Sequence, residues 1–122
     1  GRKWEDARGW CVMVGHNHSQ QSKLLAEALA DVAKTYGVKV RSPSPNKKFW
    51  VSSLYICQRT RCPAVLVENF FQDNREDVKF LISSEGKEIV TSIIVGGVCD
   101  YLNIDAARFT ASTNIATSSR VL

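Results

Sequence analysis

Apolar and polar positions change period several times along the chain, and each change predicts an element. Gly9-Trp10-Cys11-Val12-Met13-Val14-Gly15 is a short apolar run between glycines and predicts a strand. Ser19 then suits a helix N-cap. After it, Leu24, Leu25, Ala28, Leu29, Val32, Ala33 and Tyr36 recur at helical spacing, and Gly37 stands where a C-terminal glycine cap belongs. Ser42-Pro43-Ser44-Pro45-Asn46 is a loop by its turn chemistry. Phe49 to Ile56 is aromatic and β-branched, which predicts a short strand near Leu54-Tyr55-Ile56.

Pro63 precedes Ala64-Val65-Leu66-Val67, an apolar run without alternation. Such a strand is expected to be covered on both faces, as in a parallel sheet. It ends abruptly in Glu68-Asn69. Asn74 suits the cap of a further helix, with Glu76 and Asp77 at its positive dipole end and Val78, Phe80 and Leu81 on its inner side. Ser83-Ser84-Glu85 restarts a helix in which Ile89, Ile93, Gly97 and Tyr101 share a stripe, and Gly96 and Gly97 are small enough to admit a close neighbour. From Asn103 onward the chain is rich in Ala, Ser and Thr with little periodicity, so a frayed tail is expected. The order of elements is an α/β pattern: a mostly parallel sheet flanked by helices. Two or three strands are few for such a sheet, so it is expected to be partial.

Composition narrows the class. A chain of 122 residues is one domain at most, and 44% hydrophobic with 23% charged residues is ordinary for a globular protein. No apolar run approaches the roughly 18 residues of a membrane span. Gly1-Arg2-Lys3-Trp4-Glu5-Asp6 has no signal-peptide pattern, lacks Met and opens inside loop-like sequence, which reads as a fragment. The net charge of +4 is concentrated in Lys39, Arg41, Lys47 and Lys48 and again in Arg59 and Arg61. A solvated basic face accounts for it, with only a weak leaning toward anionic polymers. Of the four cysteines, none form a Cys-x-x-Cys pair. Cys11 and Cys99 lie in apolar runs and read as buried thiols. Cys57 and Cys62 flank a short basic loop, and their spacing leaves a disulfide open.

Glu68 carries the candidate chemistry. A carboxylate at the carboxyl end of a buried parallel strand stands where open α/β sheets build their sites, and partial desolvation suits it to general acid–base work. The plainer reading is that it solvates a strand end. His16-Asn17-His18 could share a metal, since imidazole suits zinc, but a histidine pair in a loop leading into a helix is far more often structural. Phe49, Trp50 and Tyr55 beside basic loops suggest nucleic-acid stacking weakly, a glycan-facing wall second, and core packing first.

The stretch Cys62-Pro63-Ala64-Val65-Leu66-Val67-Glu68-Asn69-Phe70-Phe71-Gln72-Asp73-Asn74 resembles the signature of the zinc-dependent N-acetylmuramoyl-L-alanine amidases, the amidase type 3 family. There a Pro-Ala-Val-Leu-Val-Glu strand delivers a glutamate. An aromatic segment ending in Asn follows it, then an acidic helix start and a Leu-x-Ser turn, here Glu76-Asp77 and Leu81-Ile82-Ser83. Ala7-Arg8-Gly9-Trp10 and Ser22-Lys23-Leu24-Leu25-Ala26 resemble the family's preceding strand and helix, so the match runs from about Trp4 to Leu102.

The resemblance implies a peptidoglycan hydrolase cutting between N-acetylmuramic acid and L-alanine, with Glu68 as its catalytic glutamate and Zn2+ as cofactor. The family's ligands are a histidine, a glutamate and a second histidine in a Ser-x-His-x-Asn strand, and all precede the point where this sequence begins. No metal ligand is therefore expected in this chain, which alone is expected to be inactive. Residues 1–102 are read as the C-terminal part of the catalytic domain, lacking its first strands, and 103–122 as a tail. Peptidoglycan is the expected partner, with no nucleic acid, and the setting is the cell envelope or phage-driven lysis. An exposed sheet edge invites self-association. The alternative is a non-catalytic wall-binding or remnant domain.

Overall fold

The structure, a computed structural model, describes residues 3–108. Its elements are β1 (Trp10–Gly15), α1 (Gln20–Thr35), β2 (Trp50–Ser52), α2 (Tyr55–Arg59), β3 (Leu66–Asn69), α3 (Arg75–Ile82) and α4 (Ser84–Leu102). Local chemistry sets the ends of the long helices. The Ser19 hydroxyl accepts the Ser22 N–H at 3.1 Å to start α1, and Gly37, at φ 72°, donates its N–H to Lys34 O just past the end. Ser83 caps α4 through the Gly86 N–H, and Asn103 closes it in the left-handed conformation. Of the expected tail, residues 109–122 lie outside the described residues.

The sheet has the order β2-β1-β3. β1 and β2 are parallel, with Met13 opposite Trp50. β3, however, runs antiparallel to β1, from Leu66 opposite Met13 to Asn69 opposite Trp10. The sheet is mixed, not mostly parallel. The cause is the connection: residues 53–65 hold only the five-residue α2, which packs beside Gly15 at the carboxyl end of β1. A parallel return is usually made by a full helix that crosses the sheet, and the five residues of α2 are too short for one. The chain instead re-enters the sheet from the end of β1 it has just reached and runs back.

Two further expectations are corrected. The aromatic strand is Trp50–Ser52, and Leu54-Tyr55-Ile56 leads into α2, where Tyr55 is 77% exposed. The apolar run before Glu68 is not sandwiched: all of β3 is half-buried.

The sheet has two unlike faces. Trp10, Val12 and Val14 point into the core against Ala26, Leu29, Ala30 and Ala33 of α1 and Ile93 of α4, with Val51, Val65 and Val67 packed on the same side. The stripe expected on α4 is this contact. A methyl on Gly97 would come within 2.8 Å of Leu29 Cα, so the two helices touch where no side chain intervenes. Cys11 and Met13 alternate onto the other face, level with Glu68 and Leu66. Among the described residues, the outer edges of β2 and β3 pair with no further strand.

Candidate functional site around Glu68

Glu68 lies within β3, directly across from Cys11, on the face turned away from α1 and α4. Its carboxylate is half-buried and accepts the Cys11 thiol, with Sγ 3.5 Å from Oε2. Burial, reinforced by the neighbouring Glu68 charge, pushes the Cys11 thiol from about 9.0 up to about 12. Cys11 is therefore a protonated weak donor, not a nucleophile. Glu68 takes no part in the ion pairs of the described residues. It is a half-buried carboxylate on the sheet face away from the core cluster, with acceptor capacity to spare.

The turn that follows is fixed by Asp77. Phe70 adopts φ 70°, a left-handed conformation unusual for a bulky residue. Its ring packs on Phe80 with centroids 4.8 Å apart. Next in sequence, the Phe71 N–H donates to Asp77 Oδ2 at 3.0 Å, and the same oxygen accepts the Gly9 N–H at 2.7 Å. Asp77 is only 3% exposed, and Arg8 Nε lies 3.8 Å from its other oxygen. One buried carboxylate thus joins the exit of β3 to the entry of β1, the two chain ends that flank the Cys11–Glu68 pair. Sequence reasoning gave Asp77 only a dipole role. The readable signal was its place three residues after Asn74, whose side chain accepts the Asp77 N–H at 3.0 Å while donating to Glu5 O at 2.8 Å.

A cation completes the face. Val40 bridges Trp10 in parallel, and the Arg41 N–H donates to Trp10 O at 2.8 Å, which sets Arg41 beside Cys11 on the side opposite Glu68. Its guanidinium lies 4.9 Å from the Phe71 ring centroid and 5.9 Å from that of Trp50. Counted with its basic neighbours, Arg41 passed as surface charge in the sequence.

His16 and His18 belong elsewhere. They follow Gly15 at the far end of β1, roughly 15 Å from the level of Cys11 at the rise of an extended strand. His18 Nδ1 donates to Gly15 O at 2.7 Å and its ring meets Phe49 edge-on, while Asn17 donates to Gln58 O. These contacts fasten the loop to its neighbours. Among the described residues, no three His, Cys, Asp or Glu side chains converge as a metal would require. Cys57 is buried and Cys62 exposed, and both are free thiols. A cavity of about 490 Å³ lies on the other side of Asp77, lined by Arg8, Tyr36, Lys39, Phe70 and Phe80; Glu68 does not line it.

Comparison with known proteins places the chain in a family. Residues 3–100 match the Amidase_3 family, N-acetylmuramoyl-L-alanine amidase. The endolysin of Bacillus phage SPP1 is 28% identical over 104 residues, which is 85% of this chain and 36% of that protein. The amidase Ami1 of Mycobacterium smegmatis superposes with a TM-score of 0.70 at 22% identity, over 79% of this chain and 47% of that one. The catalytic domain of the CD27L endolysin, which targets Clostridia difficile, gives 0.54 at 28% identity, over 82% of this chain and 48% of that one. The chain thus spans about a third of the phage endolysin and about half of each solved domain. By the match across residues 3–100, this chain belongs to the N-acetylmuramoyl-L-alanine amidase family Amidase_3.

Proposed function

We propose that the protein hydrolyses peptidoglycan at the amide between N-acetylmuramic acid and L-alanine, and that Glu68 is its acid–base residue. The observation that carries this reading is Glu68 itself: a half-buried carboxylate on the sheet face away from the core, hydrogen-bonded by a neutral thiol and in no ion pair among the described residues. Such a group can accept a proton from the water attacking the amide carbonyl and hand it to the departing L-alanine nitrogen. Asp77 holds the turn behind it, so the carboxylate is presented by a fixed strand.

The family implies zinc. The described side chains do not fit such a site, because the histidines lie at the far end of β1 and the one sulfur beside Glu68 stays protonated. The metal would be held by residues other than these. In this proposal, residues 1–102 are the later part of the catalytic domain, and the protein acts at the cell envelope, as an envelope enzyme or a phage lysis enzyme. The unpaired edges of β2 and β3 support including association between copies, and a monomer by light scattering would remove that part.

The test is Glu68→Gln in the whole protein, which keeps the shape and loses the proton acceptor. Release of new L-alanine amino termini from purified peptidoglycan should fall at least about a hundredfold. Wild-type turnover by the variant would sink the role. A second reading, a wall-binding domain without chemistry, draws on the same lack of converging metal ligands. Retention on purified peptidoglycan with no product release by the unaltered protein would favour it.

A further inference from the structure

Ion pairs join Arg8 with Asp77, Lys48 with Asp31 and Lys79 with Glu76. Arg41 is in none of them, although its side chain is half-buried. Among the described residues, no hydrogen bond leaves its guanidinium either. What it has instead is an aromatic setting, with Phe71 at 4.9 Å and Trp50 at 5.9 Å, and Trp50 Nε1 donates to the Arg41 backbone carbonyl at 3.3 Å. Rings on either hand hold a guanidinium in place by cation–π attraction and strip part of its water, yet leave its planar fork of donors unused. A carboxylate would find there a two-point partner in a locally low dielectric.

The place of this cation gives its role. Arg41, Cys11 and Glu68 form one row across three adjacent chain segments. With strands about 4.8 Å apart, the backbones of Arg41 and Glu68 stand about 10 Å from each other on the same face. Extended peptide advances about 3.4 Å per residue, so a substrate chain whose amide lies at Glu68 brings its next two or three residues within reach of Arg41.

We propose that Arg41 is a substrate-binding residue that grips a free carboxylate of the stem peptide, just beyond the amide to be cut. The proposal rests on the peptidoglycan reading above. It predicts discrimination by charge: a stem peptide whose second residue keeps its α-carboxylate should be preferred over one in which that carboxylate is an amide.

The test uses the whole protein carrying Glu68→Gln, which prevents turnover, titrated calorimetrically with two probes. These are the γ-methylamides of N-acetylmuramoyl-L-alanyl-D-glutamate and of N-acetylmuramoyl-L-alanyl-D-isoglutamine, so that the α-carboxylate is the sole difference between them. The carboxylate form should bind about tenfold more tightly, in keeping with one charge-assisted bidentate pair. Arg41→Gln should erase the difference between the two probes, and Arg41→Lys should keep part of it. Equal affinity for the two probes would overturn the proposal before any Arg41 variant is made, so a poorly folding variant cannot shelter it. A preference that survives Arg41→Gln would also overturn it. Binding of neither probe would remove the peptidoglycan reading together with this inference, whereas tight but charge-blind binding would remove the inference alone.

Discussion

Asp77 accepts the backbone N–H of Phe71 at 3.0 Å, and through the oxygen that does so it also holds Gly9. A single side chain thereby sets where β3 stops and β1 starts. Asp77→Ala would leave one buried and one half-buried N–H group without an acceptor and release Phe70 from its left-handed turn. The expected loss is about 2–5 kcal/mol, read as a lowered urea midpoint at unchanged m-value. Asp77→Asn keeps one acceptor oxygen and should lose clearly less. Equal midpoints for the alanine variant and wild type would show that the clamp carries no stability.

Gly97 and Gly96 are neighbours with different surroundings. Gly97→Ala drives a methyl against Leu29, backbone included, while Gly96→Ala meets only the tip of Val32 at 3.1 Å. The first should cost about 1–3 kcal/mol by overpacking. At the second, Val32 has to give only slightly, and the roughly 1 kcal/mol that alanine gains over glycine in a helix offsets it. Thermal melts of the pair decide this, and equal melting temperatures would contradict the close approach of α1 and α4.

Gly37→Ala separates backbone strain from crowding. Nothing lies within 4 Å of the added methyl, but φ is 72°. A loss of about 1 kcal/mol is expected from conformation alone. A stabilised variant would contradict the left-handed cap.

Thiol chemistry should be ordered by burial and charge. Iodoacetamide at pH 8 should label exposed Cys62 within minutes, while Cys11 should react only in denaturant. The sign of the pH effect follows. The folded state holds the Cys11 proton up to about 12, against about 9.0 when unfolded, so its contribution to stability is complete below about 9 and declines as pH rises toward 12. Labelling of Cys11 in the native protein at pH 8 would refute the assignment.

Much of this was legible in the sequence, for reasons tied to particular residues. Ser19, Gly37 and Asn74 act through local hydrogen bonds and backbone angles, which neighbouring residues determine, and each stands where it was expected. The direction of β3 was not legible, because it depends on where α2 packs against Gly15 and not on Ala64 to Val67. Tyr55 misled because aromatic content suits a strand and equally an exposed helix start. Around Glu68 the position was readable and its surroundings were not: its partner Cys11 lies 57 residues away and Arg41, in the same row beyond Cys11, 27, and only sheet pairing brings them to one face.

The alternation of β1 ties the chemistry to correct folding. Trp10, Val12 and Val14 fill the core while Cys11 faces Glu68, and Val67 of β3 points the same way as the core set. Sliding either strand by one residue would turn every one of these side chains over, burying Glu68 among aliphatics and stranding valines in water. Misthreaded molecules would thus be unstable as well as inert. Any copy that survives proteolytic surveillance already holds its carboxylate on the proper side, so screening for protease resistance alone would enrich variants with an intact site.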